Sequence, residues 1–347
     1  MSLAALQDRI RLAAERRAPL ELRGGGSKRF FGNAPRGELL DTRVYGGITD
    51  YEPSELVLTA RCGTPLAEVE QVLADKGQCL AFEPPHFGAA TFGGCIAAGL
   101  AGPRRAAAGP LRDFVLGVKL VDGQARVLDF GGRVMKNVAG YDVSRLVAGS
   151  LGTLGLIAEA SIKVLPAPRA ERTLRLEMDE AGALEAMNRW AAEPLPVSAS
   201  VWYAGTLYVR LSGSQPALEA AAPRIGGDEL PDAAAWWRSL REQMHPFFAG
   251  EGDLWRIAVP STTAPLALGA QLLEWHGALR WLRSPEATEV RAVAKRAGGH
   301  ATLFRARDKS AGAFAPLDPA LLRLHRALKQ AFDPAGILNP GRLYAEL

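Results

Sequence analysis

The amino-acid sequence predicts an α+β fold in two main units, on three observations. A chain of 347 residues is long enough for about two domains, each with its own core. In the first half, segments typical of strands outnumber those typical of helices. In the second half the composition changes, because all seven tryptophans lie between Trp190 and Trp281. We therefore divide the chain into a first unit of residues 1–168, a smaller α+β unit of residues 169–316, and a final helix and tail, residues 317–347, that return to the first unit.

The composition is typical of a soluble globular protein, with 48% hydrophobic and 22% charged residues. The net charge of +4 is spread along the chain, which argues against nucleic acid as a partner. No apolar stretch reaches the ~18 residues of a membrane span. Asp8, Arg9 and Arg11 interrupt the N-terminus, where a signal peptide would need an apolar core. We therefore expect a cytoplasmic protein with no direct membrane span.

The cysteines exclude one class of redox centre. Cys62, Cys79 and Cys95 are three in number and show no C-x-x-C spacing. An iron–sulfur cluster needs about four thiolates, so this chain is not expected to hold one. The odd number also fits a reducing compartment better than a disulfide framework.

The chain begins with a predicted helix, in which Leu3, Leu6 and Ile10 share one face. A short strand, Pro19–Arg23, follows and runs into Gly24-Gly25-Gly26-Ser27-Lys28. A glycine turn with a hydroxyl and a lysine is typical of an anion-binding nest. Taken alone, the stretch favours a simple hairpin turn over the nest, and the nest stays open as the alternative.

A strand–helix unit comes next. The β-forming residues Leu56–Ala60 predict a strand, and Thr64 is the expected cap of a helix that has Pro65 at its first position and ends at Gly77. The segment Cys79–Phe82 is expected to return as a strand.

Small residues dominate Thr91–Arg105, which predicts a short helix able to approach a pyrophosphate closely. Arg104 and Arg105 at its end would suit phosphate, because guanidinium is planar and always charged. A buried small-residue helix followed by two solvated arginines is the alternative.

A hairpin and a second glycine-rich run complete the first unit. Asp122-Gly123-Gln124 predicts the hairpin turn between two apolar strands. The run Gly149–Gly155 indicates either backbone laid against a large flat ligand or a turn before the strand Leu156–Val164.

The second unit is predicted to mix helices and strands. Its elements are helices near Ala183–Ala192, Ala233–Met244 and Glu286–Ala297, and strands near Ser200–Leu211, Trp255–Val259, Leu272–Leu282 (split by a turn at His276-Gly277) and Ala301–Arg305. Asp318-Pro319 caps the final helix, Ala320–Phe332, whose apolar side is expected to carry Leu321, Leu322, Leu324 and Leu328.

Together these segments resemble the flavoproteins with the vanillyl-alcohol-oxidase-type (PCMH-type) FAD-binding fold. The markers, in order, are the two glycine loops, Arg112-Asp113 before the hairpin, the G-S-L-G-T-L-G run, and Asn339-Pro340-Gly341 near the end of the chain. Within that group the chain resembles most the FAD-binding E subunits of bacterial glycolate oxidases, also called glycolate dehydrogenases. The residues that carry this closer resemblance are Tyr51-Glu52-Pro53, Phe82-Glu83-Pro84-Pro85 and Gly131–Asp142.

The resemblance implies an FAD-dependent oxidoreductase that oxidises a 2-hydroxy acid such as glycolate to the 2-oxo acid glyoxylate, with hydride transfer to the flavin. It also implies two partners, a larger FAD-linked oxidase subunit and an iron–sulfur subunit, through which any contact with the inner face of the membrane would be made. The implied FAD-binding residues are Arg23, Gly24, Gly25, Gly26, Ser27, Lys28, Pro85, Thr91, Phe92, Gly93, Gly94, Gly102, Arg105, Arg112, Lys136, Asn137, Gly149, Gly152, Thr153, Gly155, Ile157 and Asn339.

Two departures from the resembling proteins qualify the function. Ser27 and Lys28 stand where some of them carry a flavin-linking histidine, so we expect non-covalent FAD. The H-x-G-D-G-N and E-H-G-x-G motifs are missing and the five histidines are scattered, so no metal is expected. His300 is the candidate base by its position, with a locally bonded strand-end histidine as the alternative.

The missing histidine motifs leave a second function open, namely a non-catalytic scaffold subunit, with or without flavin, that stabilises a catalytic flavin partner. An NAD-dependent dehydrogenase is disfavoured, because no dinucleotide fingerprint followed by an acidic residue is present.

Overall fold

The structure, a computed structural model, describes residues 2–132 and 141–347. The α-helices of these residues are α1 (Leu3–Arg16), α2 (Leu66–Ala74), α3 (Phe92–Ala98), α4 (Arg105–Ala108), α5 (Val143–Leu146), α6 (Glu180–Ala191), α7 (Gln215–Ile225), α8 (Ala233–Arg241), α9 (Ala287–Arg296) and α10 (Pro319–Phe332).

The strands fall into an earlier and a later group along the chain. The earlier strands are β1 (Leu20–Arg23), β2 (Glu38–Asp41), β3 (Ile48–Glu52), β4 (Val57–Arg61), β5 (Gln78–Cys79), β6 (Val115–Val121), β7 (Val127–Gly131), β8 (Leu156–Lys163) and β9 (Leu165–Pro166). The later strands are β10 (Ala170–Glu177), β11 (Val197–Tyr203), β12 (Thr206–Gly213), β13 (Asp228–Glu229), β14 (Leu254–Ala258), β15 (Gln271–Glu274), β16 (Leu279–Arg283) and β17 (His300–Arg305).

The first large sheet has the order β3-β4-β8-β6-β7 and is antiparallel throughout. Its central strand β8 is buried at six of eight positions, because it lies between two other strands and contacts α3. Leu58, Val118 and Ile162 join the helix residues Leu66 and Ile96 in one apolar core. The predicted hairpin at Asp122-Gly123-Gln124 is confirmed as β6–β7.

The second large sheet has eight antiparallel strands in the order β13-β10-β12-β11-β15-β16-β14-β17. Helices α6 and α7 cover one part of it, and α9 covers β17. The single strand expected near Ser200–Leu211 is wrong, because Ala204 and Gly205 take positive φ values of 50° and 82° and turn the chain into the β11–β12 hairpin.

Three expectations in the first unit are also corrected. Strand β1 pairs in parallel with β2, so the loop after Arg23 is not a hairpin turn. Thr64 does not cap α2, because its hydroxyl accepts from Gly47 N at 2.9 Å and donates to Arg61 O at 2.8 Å. Of the expected strand Cys79–Phe82, only Cys79 lies in a strand, the two-residue β5, which pairs with β9.

The final helix α10 differs from its predicted apolar side. Leu321 and Leu324 are 45% and 56% exposed, while Lys329 is buried. Lys329 Nζ donates to Asp333 Oδ2 at 2.7 Å, to Thr153 O at 2.8 Å and to Leu338 O at 2.7 Å. Burial of this cation is tolerated because all three of its donors are paired.

Replacing Lys329 by methionine is expected to lower the free energy of unfolding by ~3–5 kcal/mol, since it leaves the buried Asp333 carboxylate without its cation. Urea denaturation of the full chain measures this change. The matched control is Arg11→Gln, which removes an exposed pair with Asp8 (2.6 Å) and should cost ~1 kcal/mol at most. Equal effects of the two substitutions would contradict the role of Lys329 as an anchor.

Candidate functional site

Two adjoining clefts, of about 600 Å³ and about 360 Å³, form one groove in the first unit. The residues that line both clefts are Leu22, Arg23, Gly24, Gly94, Ala97, Leu151 and Asn339. They come from the end of β1, the start of α3, the run before β8 and the C-terminal tail. Segments far apart in the chain therefore meet at one elongated depression.

The first glycine loop forms the rim of the larger cleft, which is lined by Arg23 and every residue of Gly24-Gly25-Gly26-Ser27-Lys28. A Cβ on Gly24 would lie 2.1 Å from Thr91 Oγ1, and one on Gly25 would lie 1.4 Å from Ala89 O. These glycines are thus required by the close approach of the chain's own residues 89–91, whereas sequence reasoning attributed them to a ligand.

The second glycine loop opens α3. Thr91 is the N-cap, with its hydroxyl accepting from Gly94 N at 3.3 Å. Gly93 is packed against Cys62, since a Cβ there would lie 2.5 Å from Cys62 Cβ. Gly93 and Gly94 line the smaller cleft, so the start of α3 faces the groove.

The third segment, Gly149–Gly155, lines the groove through Leu151, Gly152 and Gly155. Gly149 contacts Gly99 so closely that a Cβ on Gly99 would lie 2.8 Å from Gly149 Cα. Gly152 has φ +74° and, with Gly155 and Ile157, lines the smaller cleft. Thr153 is different, because it is buried and its hydroxyl donates to Ser150 O at 2.8 Å.

Asn339, in the C-terminal tail, forms hydrogen bonds with two of the segments that line the groove. Its Oδ1 accepts from Leu22 N at 2.7 Å and its Nδ2 donates to Leu151 O at 2.6 Å. The side chain thereby bridges β1 and the Gly149–Gly155 segment from the tail, and it lines both clefts.

The larger cleft is positively charged. Lys28 Nζ donates to His86 O at 3.2 Å and lies over the Phe87 ring at 5.8 Å, and burial lowers the pKa of its ammonium group. Among the described residues, no carboxylate oxygen lies within 4.0 Å of it. Arg23 and Arg29 share the single carboxylate of Glu21, at 3.8 Å and 2.9 Å. The cleft therefore has cationic groups to spare for an anionic ligand.

Several predicted site residues lie elsewhere. The predicted residues that line neither cleft are Pro85, Phe92, Gly102, Arg105, Arg112, Gly149, Thr153 and His300. Gly102 O accepts from Trp275 Nε1 at 3.0 Å, and the Arg105 guanidinium lies over the Trp275 ring at 4.4 Å. His300 begins β17 opposite Ala258, and burial together with Arg256 lowers the pKa of its imidazole. Lys136 and Asn137 lie outside the described residues.

Sequence reasoning missed part of the lining. The lining residues that it did not name are Glu21, Leu22, Arg29, Pro35, Thr42, Cys62, Ala97, Ala98, Leu151, Leu156 and Arg342. Arg342 could have been found, because it follows Asn339-Pro340-Gly341 directly. Thr42 and Cys62 carry no such signal, since only the sheet topology brings them to the groove.

Comparisons with known proteins identify this arrangement. A family described as FAD binding domain matches residues 1–131, and one described as FAD linked oxidases, C-terminal domain, matches residues 288–343. The glycolate oxidase subunit GlcE of Escherichia coli is 48% identical over 346 residues, covering 99% of this chain and 97% of that protein. The chain belongs to the GlcE family of FAD-binding glycolate oxidase subunits. FAD is accordingly its cofactor, which confirms the cofactor prediction.

Other relatives agree on the fold. The glycolate oxidase subunit GlcD of Bacillus subtilis is 31% identical over 167 residues, which are 48% of this chain and 36% of that protein. A solved structure of p-cresol methylhydroxylase with substrate bound superposes with a TM-score of 0.74 at 16% identity, covering 100% of this chain and 87% of that one. The predicted α+β, PCMH-type fold is confirmed. Within the described residues, no helix is both long and apolar enough to cross a membrane, and no cluster of three or more His, Cys, Asp or Glu could hold a metal ion.

The groove fits FAD on its own chemistry. An elongated cleft with two backbone glycine loops and surplus cationic side chains is suited to a diphosphate, since N–H groups and cations both favour negative charge.

Replacing Gly25 by alanine is expected to weaken FAD binding by about tenfold or more, because the new Cβ would force the first loop away from Ala89 O. The bound FAD per purified chain, read from flavin absorbance, measures it. Gly213→Ala is the control, since its Cβ would meet Leu218 at an ordinary 3.7 Å, far from the groove. An unchanged FAD content in Gly25→Ala would contradict the role of the loop.

Proposed function

We propose that this chain holds FAD non-covalently in the groove and acts in a glycolate oxidase complex that oxidises glycolate to glyoxylate. The observation that carries the proposal is the convergence on one groove of three glycine segments and the half-buried Lys28, which has no carboxylate within 4.0 Å among the described residues. The GlcE relative, similar over almost its whole length, supports the choice of substrate class.

In this proposal the chain's residues bind and orient the cofactor. Backbone N–H groups of Gly24–Lys28 would hold the diphosphate, and Arg23 and Lys28 would neutralise it. FAD, when bound, supplies a two-electron (hydride) acceptor for a CH–OH group. Ser27 and Lys28 provide no histidine for a covalent link, which supports a releasable flavin.

His300 is the proposed proton acceptor. Burial and the charge of Arg256 lower the pKa of its imidazole from the ordinary 6.5, so the ring is neutral at pH 7 and able to accept a proton. Its strand partner Ala258 is two residues from Arg256, so His300 and Arg256 project from the same face of the sheet.

The proposed partners are a larger FAD-linked subunit and an iron–sulfur subunit. The name of the Escherichia coli relative is that of a subunit, which supports assembly with others. Cys62, Cys79 and Cys95 are free thiols, and burial raises the pKa of Cys62 and Cys95 to about 12. Such thiols are poor ligands, so a cluster would have to come from another subunit.

A scaffold subunit that holds flavin without turnover is the second candidate. It is favoured by one observation, that His300 does not line the groove. Anaerobic addition of glycolate to the isolated chain decides between the two: bleaching of the flavin absorbance supports catalysis here, and bleaching only in the assembled complex supports the scaffold.

Replacing Lys28 by methionine is expected to raise the Kd for FAD about tenfold or more, because a charge-assisted contact to the diphosphate is lost. Fluorescence titration of the full apo-chain with FAD measures the Kd. The control Lys76→Met removes an exposed lysine beyond α2 and should leave the Kd unchanged. A release of yellow FAD on acid denaturation of the wild-type chain tests the non-covalent link.

Replacing His300 by glutamine is expected to lower kcat/KM of the complex for glycolate. It is also expected to abolish the acidic limb of the pH profile of kcat/KM. In the wild type that limb lies below pH 6.5, because the pKa of His300 is lowered and the neutral ring is the active form. Initial rates from pH 5 to 8, about the range in which histidine titrates, give the profile. A variant with the same pH profile as the wild type would remove His300 from the reaction.

A further inference from the structure

Trp275 has a strained backbone conformation at the point where the second large sheet meets the segment after α3. It follows β15, and both Trp275 and His276 take left-handed φ values, of 56° and 57°. Two consecutive non-glycine residues in this region are held there only when the surrounding packing requires it. Trp275 Nε1 donates to Gly102 O at 3.0 Å, so the indole is fixed against the segment that follows α3.

Two arginines approach this one indole. The Arg105 guanidinium, from α4, lies 4.4 Å from the ring centroid. The Arg256 guanidinium, from β14, lies 5.1 Å from it. Each arginine comes from a different large unit of the fold. Burial and the like charge of Arg105 lower the pKa of Arg256 to about 10, and burial and Arg112 lower the pKa of Arg105.

Within residues 2–132 and 141–347, neither arginine has a partner for its N–H groups. Among the described residues, no carboxylate lies within 4.0 Å of Arg105 or Arg256, and neither guanidinium donates a hydrogen bond. Other enclosed arginines are satisfied: Arg280 donates to the carbonyls of Gly277 and Ala264 at 3.2 and 2.9 Å, and Arg210 donates to Glu83. A guanidinium with five donors is costly to enclose without acceptors.

The nearby acidic groups do not compensate the pair. Glu274 interacts with Arg256 electrostatically, but its Oε2 accepts from Trp281 Nε1 at 2.6 Å, and burial raises the pKa of its carboxyl to about 7. Near Arg105, the attraction of Asp113 is opposed by the repulsion of Arg112. The donors of both arginines are therefore available to an external anion.

We propose that Arg105 and Arg256, held over Trp275, form the binding site for the carboxylate of the substrate. The inference rests on the proposed function, because it names the residues that hold a 2-hydroxy acid. A guanidinium fork matches a carboxylate in bidentate geometry, and an arginine on each side of the boundary lets both units contact one small acid. His300 projects from the same sheet face as Arg256, which sets a proton acceptor beside the carboxylate.

Trp275 belongs to the same apolar cluster as Ala98 and Leu151, and both of these line the larger cleft. Packed apolar side chains therefore connect the proposed carboxylate site with the wall of the groove. Arg105 thus serves the substrate in this proposal, instead of the diphosphate that sequence reasoning assigned to it.

Equilibrium binding of oxalate to the full, FAD-loaded chain tests the proposal without turnover. Oxalate carries a carboxylate and has no C–H bond to oxidise. We expect Arg256→Met and Arg105→Met each to raise the oxalate Kd, measured by titration calorimetry, about tenfold or more, and Arg256→Lys to raise it less. The matched control is Arg189→Met, which removes an exposed guanidinium 5.7 Å from the Trp190 ring and should leave the Kd within about twofold of the wild type.

The outcomes separate this inference from the proposed function. Absence of oxalate binding to the wild type, or an unchanged oxalate Kd in folded Arg256→Met and Arg105→Met variants, overturns the site even when glycolate bleaches the flavin. An equal loss of FAD affinity in both variants also overturns it, because the arginines would then serve a cofactor phosphate. Arginine-dependent oxalate binding supports the site, even in a chain that glycolate does not reduce.

Discussion

The groove depends on the anchoring of the C-terminal tail. Asp333 accepts from Lys329 Nζ, from Ile337 N and from Leu338 N, so its buried carboxylate has partners on both sides of the turn after α10. This turn delivers Leu338 to a parallel bridge with Leu20. The next residue, Asn339, can then bond β1 and the Gly149–Gly155 segment at once. Without the tail, two walls of the groove would have no direct connection through these bonds.

Two further cations, Lys309 and Arg342, donate hydrogen bonds to the chain just after the first glycine loop. Lys309 donates to the carbonyls of Phe30 and Phe304 at 2.7 and 2.8 Å, and burial lowers the pKa of its ammonium group to about 8. Arg342 donates to Phe31 O at 2.6 Å. Carbonyl groups supply dipoles but no negative charge, so these hydrogen bonds do not neutralise either cation. Of the two, Arg342 lines the larger cleft, where Glu21 offsets part of its charge.

The sequence predicted the glycine loops and the order of most elements, because these features are local. The short helix within Thr91–Arg105, the β6–β7 hairpin and the strand β8 all follow from patterns within a few residues. The parallel pairing of β1 with β2 could not be predicted, since the polarity of the loop between the two strands carries no signal of it. The pairing of Arg105 with Arg256 depends on how two sheets meet, which no periodicity in either segment records. The boundaries at residues 168 and 316 stay a prediction.

The contact between the two large sheets positions Arg105 and Arg256, which form the proposed carboxylate site. Glu83 is the central group: burial raises the pKa of its carboxyl, but the charges of Arg210 and Arg104 outweigh this and hold it below its usual range. Arg210 lies 2.8 Å from Glu83 Oε1, and Arg104 also reaches Glu171 of β10 at 2.5 Å. These bonds join the segment that carries Arg105 to the sheet that carries Arg256. Breaking a buried pair costs several kcal/mol (~3–5), so these bonds hold Arg105 and Arg256 at a fixed separation. A small acid bound between Arg105 and Arg256 would therefore meet a preorganised site.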